Sequence, residues 1–144
     1  MASHFELHRA EAFRDSRRLA AKFITQVTRE IEAGAKARAL LGEYATGALA
    51  HSIYREGPHI TPTRVTGRVG SRNHHARVAE RGARPHPILP RRPGGMLKFY
   101  WRKVGRTVYL NYVRHPGMQG KRWLEIPARA AAARHNLIVR EVPD

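Results

Sequence analysis

The stretch YVRHPGMQGKRWLEIPARAAAA, residues 112–133, decides how the second half of the chain folds. It starts at the end of an alternating strand, turns at a His-Pro-Gly triplet (residues 115–117), and passes Gly120 and Trp123 before an alanine-rich run. Glycine adopts backbone conformations that other residues resist, and Pro127 is suited to the first turn of a helix. The stretch therefore predicts a sharp corner between a strand and a helix, with Trp123 packed between that helix and the sheet.

The sequence on both sides of this corner supports the same architecture. Before it, residues 97–102 and 108–112 alternate between apolar and polar side chains around Gly105, which predicts a β-hairpin. After it, Asn136 is suited to ending the helix, because asparagine tolerates a left-handed backbone. Residues 137–142 alternate again and predict one more strand.

The first part of the chain is predicted to be helical. A capping box at residues 3–6 precedes apolar residues at helical spacing, which include Phe13 and Ile31. This pattern predicts an amphipathic helix that ends or kinks at Gly34, followed by a second helical segment over residues 35–44. Thr46 then caps a last short turn.

The middle of the chain contains a strand, a short helix and a basic loop. Alternation over residues 64–69 predicts the strand, and residues 73–82 predict a turn and a short helix that ends at Gly82. Residues 84–95 are rich in proline and arginine, and prolines remove backbone donors. This segment is therefore predicted to be a long extended loop without regular structure.

These patterns predict one α+β domain over residues 1–144. Its N-terminal part, residues 1–51, consists of helical segments, and residues 52–144 supply a mainly antiparallel β-sheet, the loop 84–95 and a further C-terminal helix. The chain has no cysteine, which excludes disulfides, thiolate metal ligands and a cysteine nucleophile. No apolar run is long enough to cross a bilayer, so we expect no membrane partner.

The formal charge of +16 is unevenly distributed. Residues 1–56 carry nine Lys and Arg against seven Asp and Glu, whereas residues 57–144 carry 18 against four. Such a field attracts nucleic acids and acidic protein surfaces alike. Within the corner, Lys121 and Arg122 are expected to be exposed charges that contribute little to folding.

Two kinds of chemistry are suggested by residue type but not by spacing. His74, His75, His86 and His115 invite a zinc site, yet the adjacent pair lacks the usual ligand spacing and no cysteine completes it. His75 and Glu80 have the residue types of a small nuclease, which a chain rich in Arg and His contains by chance. We therefore expect no metal, no cofactor, no catalytic residue and no enzyme activity.

Nucleic-acid binding has more support from the sequence. Arg64, Arg68 and Arg72 are predicted to form a cationic stripe beside Tyr100 and Trp101, a combination typical of surfaces that bind single strands. No helix-turn-helix, zinc-finger or RNP pattern is visible. The same residues are equally consistent with a basic surface that binds another protein or faces solvent.

Five short motifs occur in a fixed order along the chain. They are TGALAHSI (46–53), HARVAERG (75–82), HPILP (86–90), a Leu-x-Phe strand (97–99) and HPGMQGKRWLEIPA (115–128). In this order they resemble the tail-completion or neck proteins of long-tailed bacteriophages, a family often labelled minor tail protein. The sequence departs from the family pattern at His75, where tyrosine is usual, and at Ala83, where threonine is usual.

The resemblance implies a non-enzymatic virion protein at the head–tail junction. It implies a homo-oligomeric ring, with six-fold symmetry favoured, through which DNA passes with at most non-specific contact. Its neighbours would be the connector and tail-terminator rings, and it would be found in the host cytoplasm during assembly and in the virion neck afterwards. A basic nucleic-acid-binding protein without sequence specificity is the alternative.

Two groups of residues follow as candidates. Those expected to set the fold are Thr46, Gly47, Leu49, Ser52, Glu80, Gly82, His115, Pro116, Gly117, Gly120 and Trp123. Those expected to face DNA or a partner are Arg64, Arg68, Arg72, Arg84, Arg91 and Arg92.

Overall fold

A computed structural model describes residues 9–42 and 45–140, with side chains from residue 14 onward. The elements run in the order α1 (Arg9–Ala39), α2 (Ala48–Ser52), β1 (Ile53–Ile60), β2 (Val65–Ser71), α3 (Ala76–Arg81), β3 (Gly82–Ala83), β4 (His86–Ile88), β5 (Leu97–Trp101), β6 (Arg106–Leu110), β7 (Val113–His115), β8 (Met118–Gln119) and α4 (Glu125–Arg134). The predicted α+β class is therefore confirmed. The capping box at residues 3–6 and the side chain of Phe13 lie outside the described residues.

Helix α1 does not end at Gly34, which corrects the prediction of two helical segments. A Cβ placed on Gly34 would lie only 2.9 Å from the Cβ of Pro127, so α1 and α4 approach each other at this point. Glycine is required here for close packing rather than for a turn. The helix consequently continues to Ala39, and residues 43–44 of the predicted second segment are not described.

The antiparallel hairpin β1–β2 lies across α1. A Cβ on Gly67 of β2 would lie 2.6 Å from Cγ2 of Ile24 and 2.8 Å from Cγ2 of Thr28, which shows how closely the strand sits on the helix. Arg55 of β1 adds an ion pair to Glu32 of α1, with Nε and Oε2 separated by 3.4 Å. The strand predicted at residues 64–69 is confirmed as β2, and β1 is its partner.

The predicted single sheet is divided into four two-stranded antiparallel ladders, β1–β2, β3–β8, β4–β7 and β5–β6. Proline is one reason for the division. Pro85 separates β3 from β4, and Pro116 separates β7 from β8, and neither residue has an N–H to continue the ladder. The predicted loop over residues 84–95 is partly wrong, since His86–Ile88 forms β4 and pairs with β7.

Three of these ladders follow one another along a single arm. Gly82 pairs with Gln119, His86 with His115, and Leu97 with Leu110, so that residues 82–119 form one nested antiparallel ribbon. We call this segment the ribbon, and residues 89–112 the distal ribbon. The hairpin predicted around Gly105 is confirmed at its tip. The return arm, from Arg106 at the tip to Gln119 at the root, spans 13 residue steps, so the ribbon reaches at most roughly 45 Å.

The core lies at the other end of the molecule. Ala35 and Ala39 of α1, Ala50 of α2, Ile53 of β1 and Trp123 form one buried cluster. None of the described buried hydrophobic residues belongs to the ribbon. The ribbon therefore projects from a helical body whose packing it does not complete.

The end of α4 confirms one prediction and overturns another. Asn136 has φ 52°, and the N–H of Leu137 donates to the carbonyl of Ala132 at 2.8 Å, which closes the helix as a Schellman motif. Residues 137–140 do not form the predicted strand, because no strand within the described residues pairs with them. Ile138 is 84% exposed as a result.

Candidate functional site

The ribbon begins at a corner in which three glycines allow the backbone to cross itself. Gly82 and Gly117 have φ 83° and 82°, where side chains are strained, and a Cβ on Gly117 would lie 2.5 Å from the carbonyl oxygen of Ala83. A Cβ on Gly120 would collide with the carbonyl oxygen of Glu80. The predicted fold-setting role of these glycines therefore has a direct steric cause.

Glu80 fixes the start of α4 from a distance. Its Oε2 accepts the backbone N–H of Leu124 at 2.8 Å, and its Oε1 accepts that of Glu125 at 2.9 Å. These N–H groups lack partners within the helix, and a carboxylate at a helix N-terminus is favourable. With both oxygens held by the backbone, Glu80 is positioned as a cap rather than as the general acid or base of a nuclease.

Trp123 joins the corner to the core. Its side chain is only 3% exposed, and its Nε1 donates to the carbonyl oxygen of Ala76 at 2.9 Å. Leu49, Ala79 and Leu124 pack against the same cluster. The predicted burial of Trp123 is confirmed, but the indole lies among α1, α2, α3 and β1 rather than between one helix and a continuous sheet.

Lys121 is not the loosely held exposed charge that the sequence suggested. Its Nζ donates to the carbonyl oxygen of Ala39, the last residue of α1, at 3.4 Å and to that of Leu41, just beyond the helix, at 2.7 Å. Arg38 of α1 donates in return to the carbonyl oxygen of Lys121 at 2.8 Å. A cation at a helix C-terminus is favourable, so Lys121 ties the corner to α1. Only the folded chain brings these groups together, and no sequence spacing indicates it.

The Thr-Gly motif forms the junction between α2 and β1. Thr46 Oγ1 accepts the N–H two residues on at 3.4 Å, and Gly47 precedes the helix with φ 80°. Ser52 Oγ donates to the carbonyl oxygen of Leu49 at 2.6 Å and lies 2.6 Å from Ser71 Oγ at the end of β2. All four predicted motif residues thus have structural contacts.

The histidines form two pairs rather than one cluster. His86 and His115 face each other across the β4–β7 ladder with ring centroids 5.1 Å apart, and His115 Nδ1 accepts the N–H of Gly117 at 3.0 Å. His74 and His75 have centroids 3.9 Å apart. In the part of the chain that the structure describes, no group of three or more His, Asp or Glu side chains is arranged to hold a metal ion.

Arg64, Arg68 and Arg72 lie on the β1–β2 hairpin, and all three are exposed. Because side chains alternate along a strand and Gly67 faces α1, Arg68 points away from the helix. It lies opposite Glu56 in the ladder, and the guanidinium of Arg72 lies 5.1 Å from the ring centroid of Tyr54. Arg64 lies in the turn of this hairpin, and Arg72 directly follows β2.

The aromatic residues predicted beside these arginines lie elsewhere. Tyr100 and Trp101 belong to β5, in the distal ribbon, where they are exposed. Arg91 and Arg92 are exposed in the same distal segment, and Arg84 is exposed at the ribbon root. The predicted stripe is therefore divided between two ladders that do not pair with each other.

Ion pairs hold the first turn of α4. Glu125 bonds to Arg122, through Nε at 2.8 Å, and to Arg129, through Nε at 2.9 Å. These hydrogen bonds, that of Arg122 first, lower the pKa of Glu125 from its ordinary 4.5 to about 2. Arg122 is thus exposed, as predicted, but engaged in an ion pair.

The chain was compared with family models, curated proteins and solved structures, and none of them matches it. Among the described residues, no helix has both the length and the apolar composition needed to span a membrane.

Proposed function

We propose that this chain is a structural virion protein, a neck or tail-completion subunit that forms a homo-oligomeric ring at the head–tail junction of a long-tailed bacteriophage. The observation that carries the proposal is the corner at the ribbon root. Two of the motifs on which the resemblance rests, residues 75–82 and 115–128, meet there through the capping bonds of Glu80 and the bond from Trp123 to Ala76.

A third motif joins the same packed unit. Leu49, Ala50 and Ile53 from residues 46–53 lie in the cluster that contains Trp123, together with Ala76 and Ala79. Motifs that are far apart in sequence therefore build one body, which supports their role as the signature of a fold. Their polar members bind backbone groups of the same chain, which supports a structural protein rather than an enzyme.

The charge distribution supports a position between polyanionic neighbours. The exposed arginines of the β1–β2 hairpin and the acid-free ribbon place cations on two separate surfaces of one subunit. In a ring, with six-fold symmetry favoured, one such surface faces the DNA channel, and the other faces an adjacent connector or tail-terminator ring. Electrostatic attraction of this kind gives orientation and rate to assembly.

One observation favours a second candidate, a nucleic-acid-binding protein without sequence specificity. The ribbon is two-stranded, and a two-stranded ribbon fits the major groove of duplex DNA. The two functions differ in their dependence on salt. A ring subunit binds duplex DNA weakly, without sequence preference and with steep salt dependence, whereas firm binding at physiological salt favours the alternative.

The direct test is an in-frame deletion of the gene in the phage genome that encodes it. Electron microscopy of the lysate is expected to show DNA-filled heads and complete tails that are not joined, and the intact gene supplied in trans should restore joined particles. A deletion strain that yields normal infectious particles would overturn the proposal.

A further inference from the structure

Within the described chain, no third strand pairs with the β5–β6 ladder of the distal ribbon. A two-stranded ladder alone is marginally stable in water. Several of its large apolar side chains are exposed, with Tyr100 62% and Trp101 43% accessible to solvent, whereas Leu97, Phe99, Val108 and Leu110 are half-buried. Met96, Tyr109 and Tyr112 are exposed in the same segment. Exposed apolar surface of this kind is typical of interaction sites.

Both faces of the ladder are mainly apolar or aromatic. Leu97, Phe99, Trp101, Val108 and Leu110 share one face with Arg106, which lies at the tip, and Lys98, Tyr100, Thr107 and Tyr109 share the other. The single cation on the second face, Lys98, lies 5.7 Å from the ring centroid of Tyr109. Tyrosine, tryptophan, methionine and arginine are the residues enriched where proteins bind proteins.

Apart from Lys98, the cations of the distal ribbon lie at its two ends. Arg102, Lys103 and Arg106 surround the tip, and Arg91 and Arg92 lie in the loop that leads to β5. The whole ribbon, residues 82–119, contains eight Lys and Arg and no Asp or Glu. An apolar centre between positive ends is complementary to an apolar surface with an acidic rim.

We propose that the distal ribbon docks on a different protein whose binding surface is apolar with an acidic rim. The inference rests on the proposed function only in placing that protein in the same particle. The chemistry of the surface follows from the ribbon itself.

A second copy of this chain does not offer such a surface among its described residues. The acidic side chains that the structure describes are Asp15, Glu30, Glu32, Glu56, Glu80 and Glu125. Glu30 pairs with His135 at 3.2 Å and Glu32 with Lys36 at 2.7 Å, and the two acids of the corner are bound as described above. Asp15 lies among three arginines in sequence, and Glu56 lies opposite Arg68. The described part of the chain therefore leaves no acidic patch for the ribbon of a neighbouring copy.

Nucleic acid fits the ladder less well than protein does. A groove or backbone of duplex DNA is bound by cations along the contacting faces, whereas these faces carry mainly apolar and aromatic side chains, with one lysine and, at the tip, one arginine. Stacking of single-stranded bases on Tyr100 and Tyr109 would use only part of the exposed surface. Both kinds of nucleic acid are therefore included as outcomes of the test.

The test measures binding of labelled polymers to the purified chain by fluorescence anisotropy at physiological salt. The probe is a random copolymer of glutamate and tyrosine, compared with polyglutamate, a duplex DNA and a single-stranded DNA of matched length. A tip variant carries Arg102→Gln, Lys103→Gln and Arg106→Gln, and a face variant carries Tyr100→Ser and Tyr109→Ser. The matched control removes the same charge from the body through Arg64→Gln, Arg68→Gln and Arg72→Gln.

The copolymer is expected to bind more tightly than polyglutamate, because it offers apolar as well as acidic groups. The tip and face variants should each weaken that binding by about tenfold, and the body control by less than about twofold. Iodide quenching gives a second readout, since binding should shield the exposed Trp101 while Trp123 is already buried. Melting curves check folding, which the variants should leave intact because the ribbon supplies no core residue.

Three results would overturn the inference. The first is that the copolymer binds no more tightly than polyglutamate, or that the tip and face variants leave its binding unchanged. Either outcome would show that the distal ribbon is not a docking surface for such a protein. Tighter binding of either DNA, lost in the same variants, assigns the ribbon to nucleic acid. Self-association that the tip variant abolishes in sedimentation assigns it to a second copy. None of these results depends on the particle phenotype of the gene deletion, so the two proposals fail separately.

Discussion

The two tryptophans provide a matched test of which part of the chain is core and which is surface. Trp123→Ala removes an indole that is 3% exposed and leaves the Ala76 carbonyl without its donor. Large-to-small changes at such sites cost about 3–5 kcal/mol, and the lost hydrogen bond places this one near the upper end. Because a domain of this size is stabilised by about 5–15 kcal/mol, we expect the variant to be marginally folded.

Urea unfolding followed by circular dichroism gives the free energies, and thermal melting should show a fall of roughly 10–20 °C for Trp123→Ala. Trp123→Phe keeps most of the packing and loses the hydrogen bond, so it should cost about 1–2 kcal/mol. Trp101→Ala, at a 43% exposed position on the ribbon, should stay within about 0.5 kcal/mol of the natural chain. If Trp101→Ala destabilised the chain as much as Trp123→Ala, the separation of body and ribbon would be wrong.

Three further predictions concern the capped ends of the helices. Glu80→Ala should lower the free energy of unfolding by about 2 kcal/mol, since it leaves two N–H groups of α4 without an acceptor, and an unchanged urea midpoint would contradict this role. Lys121→Ala should cost about 1 kcal/mol through its bonds beyond α1, whereas Arg122→Ala should stay within about 0.5 kcal/mol, and the reverse order of melting temperatures would refute the assignment. The pKa of Glu125, lowered by Arg122 and Arg129, gives a stabilisation that is fully present above pH 4.5 and is lost as the pH falls through about 2. The stability difference between the natural chain and Glu125→Gln should therefore shrink over this interval in acid titrations, and a constant difference would exclude the ion pairs as its source.

The sequence was most informative where a residue acts on its own neighbours. Gly82, Gly105 and Asn136 were identified as turn or helix-end residues, and all three have positive φ in the structure. The role of each residue, in a turn or at a helix end, depends only on its local backbone conformation. The burial of Trp123 was also predictable, because a large indole beside a turn and a helix has few other environments.

Features that depend on distant contacts were not predictable from local pattern. The sequence predicts a helix end or a kink at Gly34, yet this residue lies inside α1, where its missing side chain makes room for Pro127. Glu80 caps a helix that begins 45 residues later, and the ladder of β4 with β7 lies where the prolines indicated a loop. Local propensity cannot identify a partner brought close only by tertiary structure.

The predicted strand over residues 137–142 is a case in which the local pattern is present but the tertiary contact that a strand needs is not. The alternation of Leu137, Ile138 and Val139 is typical of a strand, but a strand requires a neighbour for its backbone groups, and none lies beside residues 137–140 in the structure. The prediction that Arg64 and Trp101 lie in one stripe was wrong for a related reason. Charge and aromatic content were visible in the sequence, but the division into separate ladders was not.

The position of the chain in assembled particles tests the central claim most directly. An affinity tag placed after residue 140 and labelled with gold can be located by electron microscopy of purified, infectious virions. We expect the label at the junction between head and tail, with several copies per particle as a ring requires. Particles that contain no tagged chain, or that carry the label inside the head or along the tail, would contradict a neck protein.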